Sequence, residues 1–310
     1  MKKNNIAIII IFFCAALILQ SCGQSEKEII AQNYPKIDGS TSSLPIVQAI
    51  YKIFHKPEIV DGEQLWSGLP QSASQTIESY KMLIEGETDL IIVPDPSEEV
   101  QKLAEEKGAE LEYVPICLEA LVFIVNKTTQ INNITTEELK SIYTDMQINK
   151  WSQLGESDKY IFALVRNEDS GSHALMEKFV LKGAKVHEDI EMNNMALSMV
   201  AMVDEVENYV NYNGGAGNSA PLGYTIYYYF QNNKESQKWN SVKLLGIDGA
   251  EPNDATIASG EYPYSTYYYA VIKSDTPKDS PERKLISWLL SNEGQRIFAE
   301  SGFGGIFPVE

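Results

Sequence analysis

Apolar residues recur along this chain at two periods. Val47, Ile50, Tyr51 and Phe54 fall at helical spacing, and so do Ile77, Tyr80, Leu83 and Ile84, a stripe ended by Gly86. A third helical stripe runs Met199, Met202, Val203, Val206, Tyr209 and Val210. A fourth carries Leu285, Ile286, Trp288 and Leu289 after Ser280-Pro281, and Ile297 and Phe298 continue the apolar face beyond it. Between these stripes lie short apolar runs that predict strands: Asp89 to Val93, Tyr113 to Asn126, Ile161 to Val165, Leu222 to Tyr224, Val242 to Ile247 and Tyr267 to Lys273. Thr135 with Glu138 three residues on predicts a capped helix within Asn132 to Tyr143. Strands and helices alternating over about 270 residues predict an α/β fold.

One stretch organises the chemistry. The Ile161 to Val165 strand leads into Arg166-Asn167-Glu168-Asp169-Ser170-Gly171-Ser172, and Leu175, Met176, Phe179 and Val180 then mark a helix face. A strand, a small-residue turn and a helix start present backbone N–H groups that have no intrahelical partner. With the hydroxyls of Ser170 and Ser172 and the guanidinium of Arg166 they form a set of donors suited to an oxyanion. An ordinary helix cap beside a surface arginine fits the same residues. A second hydroxyl-rich helix start is Ser40-Thr41-Ser42-Ser43-Leu44-Pro45, with Pro45 in the first turn. Asp95 follows a predicted strand at its carboxyl end, where ligands of open α/β sheets sit; a turn-forming aspartate is the alternative. Cys117, inside a strand, reads as a small core residue. Asn213 to Asn218 is glycine-rich but lacks the Lys-Ser/Thr of a phosphate-cradling P-loop.

The N-terminus has a different pattern. Lys2-Lys3 precedes an apolar run from Ile6 to Leu19, too short to span a membrane comfortably, and Leu19-Gln20-Ser21-Cys22-Gly23 follows. That resembles the lipobox of bacterial lipoproteins, which implies cleavage before Cys22 and lipid on its thiol and new amino group. Two or more acyl chains anchor stably. Gly23 to Asn33 is polar and charged and reads as a tether.

Length and composition narrow the function. The 310 residues suffice for two domains, and the formal charge is -18. A surface so acidic disfavours nucleic acid as a partner and gives no long-range steering of an anion, which leaves binding to local donors. Three cysteines and three histidines with no clustered spacing predict neither a disulfide framework nor a metal centre. Ser172-His173 are adjacent, which does not place a hydroxyl on an imidazole as a catalytic triad does, and no hydrolase motif is present. No catalytic residue and no cofactor are expected.

Taken in order, Asp38 to Pro45, Gly86-Glu87-Thr88-Asp89-Leu90-Ile91, Glu119 to Asn126, Arg166 with Ser170-Gly171-Ser172, Leu222-Gly223-Tyr224 and Ser291-Asn292-Glu293-Gly294-Gln295 resemble the phosphate-binding lipoproteins of bacterial ABC importers, the PstS-like branch of the periplasmic binding proteins. The resemblance covers most of the chain after the tether. It implies a type II periplasmic-binding-protein fold: two α/β lobes, residues 34–125 with 264–310 and residues 126–263, joined by two crossover strands, here Leu121–Asn126 and Tyr267–Lys273. Residues 1–21 are then signal peptide and 22–33 tether. It implies a phosphate site from Thr41, Ser42 and Thr76 of one lobe, Arg166, Ser170, Gly171 and Ser172 of the other, and Asp95, with Glu119 a rival carboxylate. The implied partners are inorganic phosphate or a related oxyanion, an ABC permease, and the membrane through Cys22. The protein is expected to be a monomer on the outer side of the cytoplasmic membrane or in the periplasm. Two departures stand out. The family's Gly/Ser-rich turn before the third helix reads Pro70 to Thr76 here, and Pro94-Asp95 stands where Ser with Arg or Asp is usual. A surface receptor or sensor that reuses the fold is the alternative function.

Overall fold

The structure, a computed structural model, describes residues 25–168, 170–208, 218–300 and 302–306. The leader, Cys22, Tyr209, Val210 and the glycines at 214, 215 and 217 lie outside the described residues.

The fold is α/β, as the pattern predicts. Its main sheet holds β1 (Ile37–Gly39), β2 (Leu90–Val93), β3 (Leu111–Asn126), β4 (Tyr160–Ala163), β5 (Ser219–Ile226), β6 (Val242–Leu244), β7 (Ser265–Lys273) and β8 (Gly304–Gly305). The order is β1-β2-β7-β3-β5-β4, with β6 and β8 also on β3. β1 runs parallel to β2 and β4 parallel to β5, whereas β3 is antiparallel to both β7 and β5. β3 makes the molecule two-lobed. Its residues Leu111 to Ala120 pair with β7, and Leu121 to Val125 pair with β5. The change of partner thus falls at Ala120/Leu121, at the start of the predicted crossover segment Leu121–Asn126.

The helices that matter for the site are α1 (Glu26–Gln32), α2 (Leu44–Phe54), α3 (Thr76–Glu85), α4 (Glu98–Lys107), α5 (Gly171–Met176) and α6 (Tyr227–Asn233). Leu90 to Val93 of β2 are all fully buried. The reason is coverage on both faces: Leu90 and Ile92 pack in the core that holds Ile46, Val47 and Ile50 of α2, and Ile91 and Val93 pack with Ile77, Tyr80 and Leu83 of α3 and Val100 of α4. Gly86 ends α3 in the left-handed conformation, and Thr135 and Glu138 close the expected capping box.

Three readings are corrected. The predicted tether is helical from Glu26, capped by a Ser25–Glu28 box, and Ile30 at 1% exposure joins the main core. One buried isoleucine among charges is too little periodicity to detect yet enough to dock a turn of helix. The Ile161 strand breaks at Leu164, whose N–H donates to Leu222 O, and Val165–Arg166 pair instead with Met195–Ala196. This second, two-residue ladder turns Arg166 away from the main sheet. The helix face through Val180 changes from α5 to a π-helical turn, Glu177–Leu181.

Candidate anion-binding site

Three helix starts meet between the lobes. The first is the turn Ser40 to Ser43 at the end of β1. Gly39 is required there, since a Cβ would lie 2.2 Å from Ile92 O and 2.5 Å from Ser43 Oγ. The hydroxyls of this turn largely satisfy one another. The Ser40 and Ser42 oxygens are 3.0 Å apart, Ser40 N donates to Ser43 Oγ at 3.0 Å, and the Ser43 hydroxyl donates to Ile92 O. Thr41 is exposed at its tip.

The second start is Gln75-Thr76, opening α3. Gln75 has φ 75° and ψ 169°, a region that glycine favours and a side chain resists. Thr76 is 2% exposed, and its Oγ1 is buried with no hydrogen-bond partner.

The third is Arg166 with Ser170-Gly171-Ser172 at the start of α5. The Arg166 backbone N–H donates to Tyr224 Oη at 2.9 Å, which pins the residue by its main chain. Its Nε and Nη1 are buried and unpartnered. Burial lowers the guanidinium's pKa, with the Tyr224 and Tyr229 hydroxyls opposing, and an arginine so placed stays charged. Ser170 occupies the cap position without spending its hydroxyl on the cap, and it lies 2.9 Å from the Ser172 hydroxyl. His173, next along, faces Tyr224 Oη at 3.3 Å. Burial, then the Arg166 charge, push its pKa down to about 4, so it is neutral at physiological pH.

These turns enclose a cavity of about 160 Å³ lined by Ser40, Thr41, Ser42, Gln75, Thr76, Arg166, Asn167, Ser170, Gly171, Ser172, Leu197, Ser198 and Met199. Drug-sized ligands need roughly 300–1,000 Å³, so this one suits an ion of a few atoms. Among the described residues Arg166 is the one charged side chain in the lining, and Thr76 and Arg166, which hold the orphaned donors, both line the cavity. Buried donors are almost always paired, so the unpaired Thr76 hydroxyl and Arg166 N–H groups mark a place for an acceptor. The lobes touch here: a Cβ on Gly171 would lie 2.6 Å from Pro94 Cγ and 3.1 Å from Thr76 Oγ1.

Seven sequence-predicted residues therefore line one cavity, namely Thr41, Ser42, Thr76, Arg166, Ser170, Gly171 and Ser172. Asp95 does not. Its Oδ1 accepts from Lys178 Nζ at 2.7 Å and its Oδ2 from the Thr266 hydroxyl. Glu119 is also absent from the lining. It is fully buried, its Oε1 accepts from Ala120 N and Tyr228 N, its Oε2 is unpaired, and burial raises its pKa to about 8. Ser40, Gln75, Asn167 and the Leu197 to Met199 segment also line the cavity and were not among the predicted site residues. Ser198 could have been found as a helix cap, since its Oγ accepts from Ala201 N at 3.0 Å.

A wider cleft of about 700 Å³ opens beside the cavity and shares Arg166 and Asn167 with it. Glu98, Glu99, Glu168, Glu177 and Glu191 line it with Lys102 and Lys185. Burial, then the charges of Glu98, Glu168 and Glu99, raise the Glu177 pKa. The floor of the site is thus cationic and its mouth acidic. Among the described residues no group of His, Cys, Asp and Glu could hold a metal ion, and no helix is long and apolar enough to cross a membrane.

Two lobes on a shared sheet, with a small polar cavity between facing helix starts, define a solute-binding class of protein. The chain belongs to the PBP superfamily, whose domain model matches residues 30–293. Among curated proteins it is 24% identical over 316 residues to the phosphate-binding protein PstS of Bacillus subtilis, covering 98% of this chain and 94% of that one. It is 26% identical over 312 residues to the PstS of Borreliella burgdorferi, covering 99% of each. Among solved structures, an ABC-type phosphate transport receptor from Vibrio cholerae superposes with a TM-score of 0.61 at 20% identity, over 87% of this chain and 98% of the other.

Proposed function

We propose that this protein captures inorganic phosphate, or a closely related tetrahedral oxyanion, in the interlobe cavity and delivers it to the permease of an ABC importer. The observation that carries the reading is the convergence of buried, unpartnered Thr76 and Arg166 donors on a cavity of ion size. The names of the curated relatives support phosphate as the ion. In this reading Arg166 supplies the charge, and Ser170, Ser172, Thr41, Ser42 and Thr76 supply hydroxyls. The backbone at Gly171 completes the cradle from the helix start. An anion held by both lobes stabilises the closed arrangement through contacts the open one lacks, and the closed shape is what a permease recognises. The lobes are residues 34–125 with 264–310 and residues 126–263. The protein works as a monomeric carrier without catalysis or cofactor, anchored by lipid on Cys22 on the outer side of the cytoplasmic membrane or in the periplasm. Replacing Cys22 by alanine leaves the protein unprocessed or released, and a variant still acylated and membrane-bound defeats the anchor.

A thermal-shift series with phosphate, sulfate, molybdate and small carboxylates, after stripping of bound ligand, tests the ligand. Phosphate at 100 times its Kd stabilises by about 2.7 kcal/mol. No shift with any oxyanion overturns the reading and favours a receptor that uses the fold without a small ligand.

A further inference from the structure

Outside the cavity, Lys178 joins the two lobes. It sits on the π-helical turn that continues α5, six residues after Ser172, and its Nζ lies 2.7 Å from Asp95 Oδ1. Asp95 is held in turn by the first lobe, since its second oxygen accepts from Thr266 of β7. The Asp95 side chain is 15% exposed and that of Lys178 43%, so the pair is better shielded than an ordinary surface pair. Among the described residues it is the one ion pair that links the lobes; the others stay within a lobe or tie α1 to the first.

The position gives the pair leverage. The seven residue steps from Gly171 to Lys178 span about 10 Å of helix. At one end of that span Gly171 abuts Pro94 and Thr76; at the other, Lys178 grips Asp95, the residue after Pro94. The loop Pro94-Asp95 is thus clamped against the helix at two points, and the cavity wall formed by Gly171, Ser172 and Thr76 lies at one of them.

We propose that Lys178 is a positioning residue for ligand capture: its ion pair with Asp95 is a latch that holds the lobes closed and sets how slowly the ligand leaves, without touching the ligand. Asp95 then serves the site from outside it. Opening the cleft requires the pair to separate, so the latch acts on the closed state and on the dissociation step. The inference rests on the phosphate reading for its ligand arm only, because closure is measurable without ligand.

The test uses the full chain with Lys178→Met, Asp95→Asn, the double variant and Lys178→Arg. Stopped-flow kinetics follow inorganic phosphate, and small-angle scattering follows the ligand-free protein. Lys178→Met is expected to speed phosphate dissociation by about three- to tenfold with association within twofold, and to enlarge the ligand-free radius of gyration. Asp95→Asn does the same, the double variant adds nothing to either single one, and Lys178→Arg restores slow release. Unchanged dissociation and unchanged scattering in Lys178→Met overturn the latch, as does a double variant whose effects simply add. If the unmutated protein binds no phosphate, the ligand reading fails instead, and the scattering comparison still decides the latch.

Discussion

The two serine turns that face each other across the cleft have similar sequences and opposite economies. In Ser40 to Ser43 the three serine hydroxyls are committed to one another and to Ile92 O, which ties the turn to β2, and the Thr41 hydroxyl at the exposed tip is not part of that set. In Ser170 to Ser172 the hydroxyls bond only to each other, while the guanidinium beside them keeps two buried N–H atoms unpaired. The first turn is a wall largely satisfied without ligand, with Thr41 and the edge of the Ser42 hydroxyl left to meet an anion. The second is preorganised but incomplete, and the free energy of completing it is available to a bound anion. A donor-rich helix start is therefore not by itself a binding site; what matters is whether its donors are already used.

Arg166 offers the largest test of that contrast. Charge-assisted hydrogen bonds contribute roughly 1.5–3 kcal/mol each, so Arg166→Ala weakens phosphate binding at least tenfold while the chain stays folded. Arg166→Lys recovers only part, because a single ammonium does not match the fork of guanidinium donors. Calorimetry showing unchanged affinity in Arg166→Ala would assign this arginine to scaffolding and erase the difference between the turns.

Titration gives the next effect, and it separates the second turn from the hinge. His173, beside Arg166, has its folded pKa depressed to about 4 from 6.5. Its contribution to stability is present above pH 6.5 and is lost as pH falls from there towards 4. Glu119, at the point where β3 changes lobes, has its folded pKa raised from 4.5 to about 8. Its contribution is full below pH 4.5 and disappears as pH rises through 8. By linkage, shifts of this size correspond to roughly 3–5 kcal/mol. Denaturant melts across pH 4 to 9 check this: His173→Gln flattens the acid limb only, and Glu119→Gln the alkaline limb only. Wild-type limbs retained in both variants would remove the assignment.

The serines themselves should separate stability from binding. Ser43→Ala removes the bonds its hydroxyl makes to Ile92 O, Ser40 N and Ser40 Oγ. It leaves Ser40 N and Ile92 O only their longer 3.3 Å contact with each other, at a cost of about 1–3 kcal/mol of folding stability. Ser170→Ala leaves stability within about 0.5 kcal/mol and weakens phosphate binding a few-fold. Urea melts and titrations on the same two variants settle it, and the reverse pattern would show the division between wall and cradle to be wrong.

Much of this was legible beforehand, for identifiable reasons. β2, β3 and β7 are buried on both faces or paired on both edges, so their apolar runs are long and unambiguous. Thr135–Glu138, Gly86 and the Ser170 turn are local signals, set by backbone chemistry within a few residues. What stayed hidden depends on distant partners. Asp95 sits at a strand's carboxyl end, as a site residue would, but nothing near it in sequence announces Lys178 or Thr266. The break at Leu164 is fixed by Leu222, 58 positions away. Gln75 carries no sign of its left-handed φ, because that strain is imposed by the turn it completes.

The smallest predicted effect concerns how the anion arrives, and it sets the mouth of the site against its floor. Glu98 and Glu99 begin α4, where the helix dipole favours carboxylates, so they have a structural role of their own. They also face Glu168, Glu177 and Glu191 across the cleft that leads to Arg166. An incoming dianion meets this repulsion before it meets the guanidinium. Salt screens exposed charges over about 30 Å at 0.01 M and about 8 Å at 0.15 M, whereas the buried donors at the floor are screened far less. Phosphate association should therefore quicken about two- to fivefold between these salt concentrations, the opposite of a steered ligand, with dissociation nearly constant. Glu98→Gln with Glu99→Gln should raise the low-salt rate and reduce its salt dependence. Association that slows as salt rises would mean that the field of Arg166 reaches past the mouth, and that the acidic rim serves only the helix.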